Sequence, residues 1–322
     1  MRILTGIQPS GQLHIGNYFG AMKPMIEMMN DKGNEIFCFI ADYHALTSLH
    51  DAKQMRENVK NCILDWMACG LDPEKIVFYV QSDLPEVQEL AWILHSVCPM
   101  GLLQRSVSYR DKVENGADAN SALFTYPVLM AADILIMQSE IVPVGKDQKQ
   151  HIEIARDLAQ KFHNEFGEIF TMPEEKVSDE LSIIPGLDGK KMSKSYGNTI
   201  PLFDDESKIK KKVMSIVTDS KEVDEKKDPD SCNIFALYKL VSSKSEQEEL
   251  AQKYRAGGMG YGEAKKVLFE AIKKYFSQFW EKRKYLESQA GVIEHVREMG
   301  ALKARRIAKK TLEKARRRVG LS

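Results

Sequence analysis

The chain has 322 residues, of which 43% are hydrophobic and 29% charged, a globular profile that excludes a disordered or fibrous polypeptide. Basic and acidic side chains number 46 each, so the formal net charge is zero, and no apolar run reaches the roughly 20 residues that span a bilayer. The five cysteines (Cys38, Cys62, Cys69, Cys98 and Cys232) contain no C-x-x-C pair, which argues against a disulfide framework, a zinc ribbon or an iron–sulfur site and for free thiols in a reducing cytoplasm.

The opening MRILTGIQPSGQLHIGNY has no apolar h-region and no cleavage pattern, and is expected to be part of the fold. Short runs rich in Ile, Val and Phe predict strands at Ile3–Ile7, Ile36–Ala41, Ile76–Gln81 and Ile141–Val144. Helical patterns fall between them at Asn17–Asn30, Asp51–Cys69, Glu86–Ser96 and Gln148–Asn164, with Pro73 and Pro85 at expected helix starts. Strands separated by helices of this length predict an α/β fold with a doubly wound parallel sheet. The composition changes after Pro185. Lys, Glu and Asp dominate 204–230, and helices are expected at Lys208–Ser215, Ile234–Val241, Glu246–Arg255, Glu263–Tyr285 and Gly300–Val319. The expected division is an α/β domain over 1–185, a Gly-containing loop over 186–200 and a smaller C-terminal α-helical domain over 201–322. Within 301–322 nine basic residues face one acid, Glu313, so this segment carries +8 and the other 300 residues −8. Such a basic end suits a polyanion, and equally a solvated helix face.

Two segments carry chemistry. Thr5 to Asn17 (TGIQPSGQLHIGN) runs from a strand through Gly and Pro turn residues into a helix, at the carboxyl edge where ligands bind in open α/β sheets. His14 and Asn17 are three apart and suit neutral donors to a phosphate; Gly16 permits close approach of a base or ribose. Read alone, the segment is equally a strand–helix turn capped by Asn17. No G-x-G-x-x-G or G-x-x-x-x-G-K-[ST] occurs, so dinucleotide and P-loop readings lose support. The second segment, Gly186 to Gly197 (GLDGKKMSKSYG), puts lysines and serines between glycines. A mobile basic loop can close on charge that develops in a transition state, or be merely a solvated turn.

Together the segments change each other's weight. His14-Ile15-Gly16-Asn17 resembles the HIGH motif of class I aminoacyl-tRNA synthetases, with Asn17 in place of the last His. Lys191-Met192-Ser193-Lys194-Ser195 matches their KMSKS motif, roughly 175 residues later. A further stretch, Tyr126 to Leu135 (YPVLMAADIL), holds one carboxylate in an apolar helix, with Met130 and Asp133 on one face. An indole offers one N–H and no acceptor, so a single carboxylate in an apolar slot suits it; Asp133 could equally be tied to a backbone N–H or an arginine. TGIQPSG, LMAADIL, Val142 to His151 (VPVGKDQKQH), Asp228 to Phe235 (DPDSCNIF) and Gly257 to Gly262 (GGMGYG) together resemble the bacterial tryptophanyl-tRNA synthetases over essentially the whole chain. The last tract follows a helix and reads as a C-cap with a tight turn.

The resemblance implies a Rossmann-like catalytic domain, a homodimer, a cytoplasmic location with no membrane attachment, and conversion of L-tryptophan and ATP to tryptophanyl-adenylate and pyrophosphate before transfer to the 3′ end of tRNA(Trp). It implies that Asp133 holds the indole nitrogen beside Met130, that Tyr126 and Gln148 hold the ammonium and carboxylate, and that Leu4, Gly6, His44, Val142 and Val144 line the slot. It implies ATP contacts from Gln8, Pro9, Ser10, Gly16, Asn17, Gly145, Lys146, Asp147, Ile183, Lys191, Met192, Ser193, Lys194 and Ser195, with Mg²⁺ carried by the phosphates. His14, Asn17, Lys191, Lys194 and Ser195 are the expected catalytic groups, and the C-terminal helices are expected on the anticodon side. Tyrosine activation is the rival within the class, since a phenol both donates and accepts and would want a more polar pocket. A catalytically silent tRNA-binding paralogue is the rival outside it. The tryptophan reading requires Asp133 to be buried and not claimed by a guanidinium.

Overall fold

The structure is a computed structural model that describes the chain except residues 32, 107–108, 110–113, 115, 117–118, 146–147, 178–183 and 322. Its centre is a five-stranded parallel sheet in the order β3-β2-β1-β4-β5: β1 Arg2–Ile7, β2 Glu35–Ile40, β3 Val77–Val80, β4 Ile141–Val144 and β5 Glu174–Val177. Four strands fall on the predicted apolar runs. The fifth was not foreseen because its sequence, EEKV, is mostly polar. It is an edge strand that bonds only β4, and an edge tolerates charge.

Helix α1 (Ile15–Asn17), a π-helical segment (Tyr18–Met22) and α2 (Lys23–Met28) lead from β1 to β2, where one uninterrupted helix was expected. Pro24 has no N–H to offer the preceding turn, and the ladder widens beside it. Helices α3 (Asp42–Ala45) and α4 (Ala52–Ala68) lead to β3, with Asp51 Oδ1 capping α4 by accepting the N–H groups of Lys53 and Gln54 at 2.8 and 2.9 Å. Pro73 stands in a turn before β3 and starts no helix, whereas Pro85 is the N-cap of α5. Helices α5 (Glu86–Val97), α6 (Met100–Gln104) and α7 (Ser121–Ile136) lead to β4, and α8 (Lys149–Phe166) leads to β5. The chain thus runs outward from β1 to β3, then returns to the other side of β1. The strand order reverses between β1 and β4.

The remaining helices are α9 (Glu206–Met214), α10 (Asn233–Val241), α11 (Lys244–Ala256), α12 (Tyr261–Ser288) and α13 (Val292–Val319). α11 begins with a Ser243–Glu246 capping box and ends at Gly257, whose φ of +83° suits glycine; the Gly-rich tract is a helix stop. Two apolar clusters lie on opposite sides of the sheet. One joins α2 and α4 to α9–α12, and the other joins α5, α7 and α8 to α13. The last helix therefore leaves the helical segment and returns to the sheet, so packing divides the chain differently from the composition change near residue 200. Ala304, Ala308 and Ala315 are fully buried there, and a Cβ on Gly300 would lie 1.7 Å from the Phe78 carbonyl oxygen. Three of the nine terminal basic residues secure this contact: Arg305 to Glu86 at 3.1 Å, Lys303 to the Pro73 carbonyl at 2.8 Å, and Arg316 to Glu89. Arg297 adds a fork on Asp83. The five cysteines are free thiols. Among the described residues no helix is long and apolar enough to cross a membrane.

Between α12 and α4, Arg283 donates to Asp65 Oδ1 at 2.7 Å and to Asn61 Oδ1 at 2.8 Å. Burial lifts Asp65 to about 6 despite the opposing pull of the guanidinium. Replacing Arg283 by Met is expected to lower stability at pH 8 by about 2 kcal/mol, the scale of a lost charge-assisted bond that leaves a carboxylate buried. A carboxylate whose folded pKa is raised favours the folded state only below its unfolded pKa and loses that benefit as pH rises through the folded value. The deficit should therefore shrink between pH 8 and pH 5 in thermal melts; a deficit independent of pH would assign the loss to packing.

Candidate active site

A cavity of about 850 Å³ opens at the carboxyl ends of β1 and β4, the point where the strand order reverses and ligands enter open α/β sheets. β1 and its exit contribute Leu4, Gly6 and Gln8; β4 and its exit contribute Val142, Val144 and Gly145; α7 contributes Tyr126, Met130 and Asp133. His44 and Gln148 complete the expected set of amino-acid residues at this cavity. Phe39 and Ala41, at the end of β2, also line it and were not anticipated. Phe39 stacks on Tyr79 with centroids 5.6 Å apart, and a Cβ on Gly6 would come within 2.7 Å of the Phe39 ring. Glycine at that point leaves the ring face open as a flat wall for another ring.

Asp133 is 1% exposed. Its Oδ2 lies 2.9 Å from His44 Nε2, and Gln81 Nε2 donates to both carboxylate oxygens at 2.8 Å. Burial pushes its pKa up, and the bonds from His44 and Gln81 pull against that rise. The neighbours are an imidazole and an amide; no guanidinium claims it among the described contacts. An ionised carboxylate with spare acceptor capacity on an apolar wall selects a ligand that brings one N–H. Nearby, the buried Tyr126 hydroxyl and His151 Nε2 lie 2.8 Å apart.

The two motifs meet beside this cavity because backbone strands tie them. Ile15 N–H bonds the Ile200 carbonyl at 3.0 Å, Leu202 N–H bonds Leu13 at 2.9 Å, and His14 bridges Pro201. His14 Nδ1 accepts the Asn17 backbone N–H at 3.2 Å, while Asn17 Oδ1 accepts the His14 N–H at 3.0 Å. That reciprocal cap places the imidazole proton on Nε2. Burial and the nearby Lys194 charge lower His14 to about 4, so it is a neutral donor throughout the physiological range. Met192 is buried, and its Cβ would lie 3.2 Å from a Cβ on Gly16.

The 186–198 segment is a knitted hairpin. Asn198 accepts the Ser193 N–H at 2.8 Å and donates to Asp188 Oδ1 at 2.7 Å and the Lys191 carbonyl at 3.1 Å. Ser193 and Ser195 hydroxyls are 2.8 Å apart, and Lys191 and Ser195 are exposed. Lys194 Nζ reaches the Gly11 carbonyl at 3.0 Å and the Ser10 carbonyl and hydroxyl at 3.3 and 3.4 Å. Lys194 thus meets Ser10 and Gly11, and Met192 meets Gly16 beside Asn17, while Lys191 and Ser195 face solvent. Lys146, Asp147 and Ile183 lie outside the described residues. Sequence reasoning missed Gln81 and Asn198. The available signal for Gln81 was its place directly after a parallel strand; Asn198 showed only its place after the second motif.

The sequence profile of the family described as tRNA synthetases class I (W and Y) matches residues 1–277. A tryptophan–tRNA ligase of Rhodopirellula baltica is 51% identical over 321 residues, covering 100% of both chains. The crystal structure of Campylobacter jejuni tryptophanyl-tRNA synthetase complexed with ADP and tryptophan superposes with a TM-score of 0.96 at 49% identity, covering 100% of both chains. The Mycoplasma pneumoniae enzyme gives a TM-score of 0.81 at 31% identity over 100% of this chain.

Proposed function

This chain belongs to the class I tRNA synthetases for tryptophan and tyrosine, and from that premise we propose that it is a tryptophan–tRNA ligase. It activates L-tryptophan with ATP and transfers it to the 3′ end of tRNA(Trp). The observation that carries the choice of amino acid is the buried Asp133 carboxylate on the wall of a largely apolar cavity, held by an imidazole and an amide.

Asp133 accepts the indole N–H, Met130 and Phe39 pack on the ring, and Tyr126 and Gln148 hold the ammonium and carboxylate. Leu4, Gly6, His44, Val142 and Val144 complete the wall. Gln8, Pro9, Ser10, Gly16, Asn17, Gly145, Lys146, Asp147 and Ile183 contact ATP together with Lys191, Met192, Ser193, Lys194 and Ser195. The tryptophan carboxylate attacks the α-phosphorus in line, the bond from that phosphorus to the α,β-bridging oxygen breaks, and pyrophosphate leaves with the electron pair. No protein nucleophile is needed. Neutral His14 and Asn17 donate to phosphate oxygens, and Lys191 and Lys194 neutralise charge that spreads in the transition state. Mg²⁺, held by the triphosphate itself, would supply further neutralisation of that charge.

Arg306, Lys309, Lys310, Lys314, Arg317 and Arg318 remain exposed on α13, which supports a polyanion such as tRNA on that side. Trp92 and Met100, 76% and 61% exposed on successive helices, support a second copy of the chain against α5 and α6. Free thiols suit the cytoplasm. The test is ATP–pyrophosphate exchange with each of the twenty amino acids. Exchange with tryptophan alone is expected; exchange with tyrosine and not tryptophan would overturn the assignment.

A further inference from the structure

We propose that Gln81 is a positioning residue for amino-acid selection, its amide clamping the Asp133 carboxylate so that Oδ1 is left as the acceptor for the indole N–H. The proposal rests on the tryptophan reading above and adds a group that does not itself line the cavity.

Gln81 is fully buried at the end of β3. Its Oε1 accepts the Tyr43 backbone N–H at 3.1 Å, which fixes the amide orientation. A flipped amide would turn Oε1 onto a carboxylate and Nε2 onto an N–H, two repulsive contacts in place of two bonds. Nε2 therefore faces Asp133, 2.8 Å from each oxygen. An equidistant donor resists rotation of the carboxylate about Cβ–Cγ, a torsion that is otherwise broad.

The two oxygens are not equivalent. Oδ2 also meets His44 Nε2 at 2.9 Å, whereas among the described residues Oδ1 meets Gln81 only. The larger unused acceptor capacity is on Oδ1. The turn carrying Gln81 is itself pinned. Ser82 N–H bonds Asp42 Oδ1 at 3.0 Å, and Asp83 takes the Arg297 fork at 2.7 and 3.0 Å. A turn held from α3, α13 and β3 at once gives the residue it carries a fixed direction toward the group that residue grips.

Without the clamp the carboxylate can rotate, and the loss falls on ligands that bring an N–H. The experiment uses the full-length enzyme with Gln81→Met, which keeps length and removes the donor. Exchange is measured with L-tryptophan and with 3-(benzothiophen-3-yl)-L-alanine, in which sulfur replaces the N–H. The preference for tryptophan over the sulfur analogue is expected to fall about tenfold, the scale of one misaligned charge-assisted bond. The change should lie in the KM for tryptophan, with the KM for ATP within about twofold. Gln81→Asn, one methylene too short to reach both oxygens, is expected to show the same loss and carries the test if the Met variant does not fold. An unchanged preference, a parallel shift in the KM for ATP, or failure of both variants to fold would make Gln81 structural and overturn the proposal. Wild-type enzyme that does not exchange with tryptophan would instead overturn the substrate assignment.

Discussion

Asp133→Ala is expected to raise the KM for tryptophan by about 10²- to 10³-fold, corresponding to the roughly 3–4 kcal/mol lost when one partner of a buried charged hydrogen bond is removed. The KM for ATP should stay within about twofold, because the polar group formed by His14, Asn17 and Lys194 does not include Asp133. Truncation also leaves His44 Nε2 and Gln81 Nε2 without their common acceptor, so some loss of thermal stability is expected as well. Titration gives an independent check. Protonation removes the acceptor for the indole, so tryptophan affinity should fall as pH decreases. Because burial raises the pKa of Asp133, the fall should begin at a higher pH than for an exposed carboxylate, and Asp133→Ala should abolish that limb. Equal losses of tryptophan and ATP affinity would make Asp133 a structural residue.

Lys194→Ala is expected to slow adenylate formation by about 10²- to 10³-fold while weakening ground-state ATP binding by only a few-fold. Its ammonium already rests on the Ser10–Gly11 turn, so the loop brings charge to the first motif without a long excursion. Burial lowers the lysine pKa, which marks an ammonium with incomplete hydration that gains most when phosphate charge develops beside it. Single-turnover kinetics separate the two effects. A fall in apparent ATP affinity with an unchanged chemical step would make the loop a passive binding element.

Much of the architecture was legible because its determinants are local. Strands buried on both faces require continuous apolar runs, and β2 and β3 each have one; β1 and β4, less fully buried, still carry the Ile and Val that mark a strand. β5 escaped because an edge strand needs only backbone bonds on one side, which Glu174, Glu175 and Lys176 supply as well as any residue. The terminal helix looked like part of a basic helical domain. Its short repeat of Ala304, Ala308, Leu312 and Ala315 meant instead close packing against the sheet, and three of its cations are consumed in that contact.

By itself, the order of residues determined the chemistry available: two motifs of neutral donors and cations, one acid in an apolar helix, and strands and helices in alternation. Those properties depend on side-chain type and on periodicity, which a linear chain displays directly. Only tertiary structure decided how the acid is held. Gln81 and His44 lie 52 and 89 residues from Asp133, and nothing in a linear pattern reports that the ends of β2 and β3 bring them to one carboxylate. Likewise the pairing of Leu13 and Ile15 with Ile200 and Leu202, set by the closure of the 186–198 hairpin onto the first turn, is what joins the two motifs into one site. Hydrogen-bond direction and burial arise from which elements share a sheet edge, and that choice is made by packing of the whole chain.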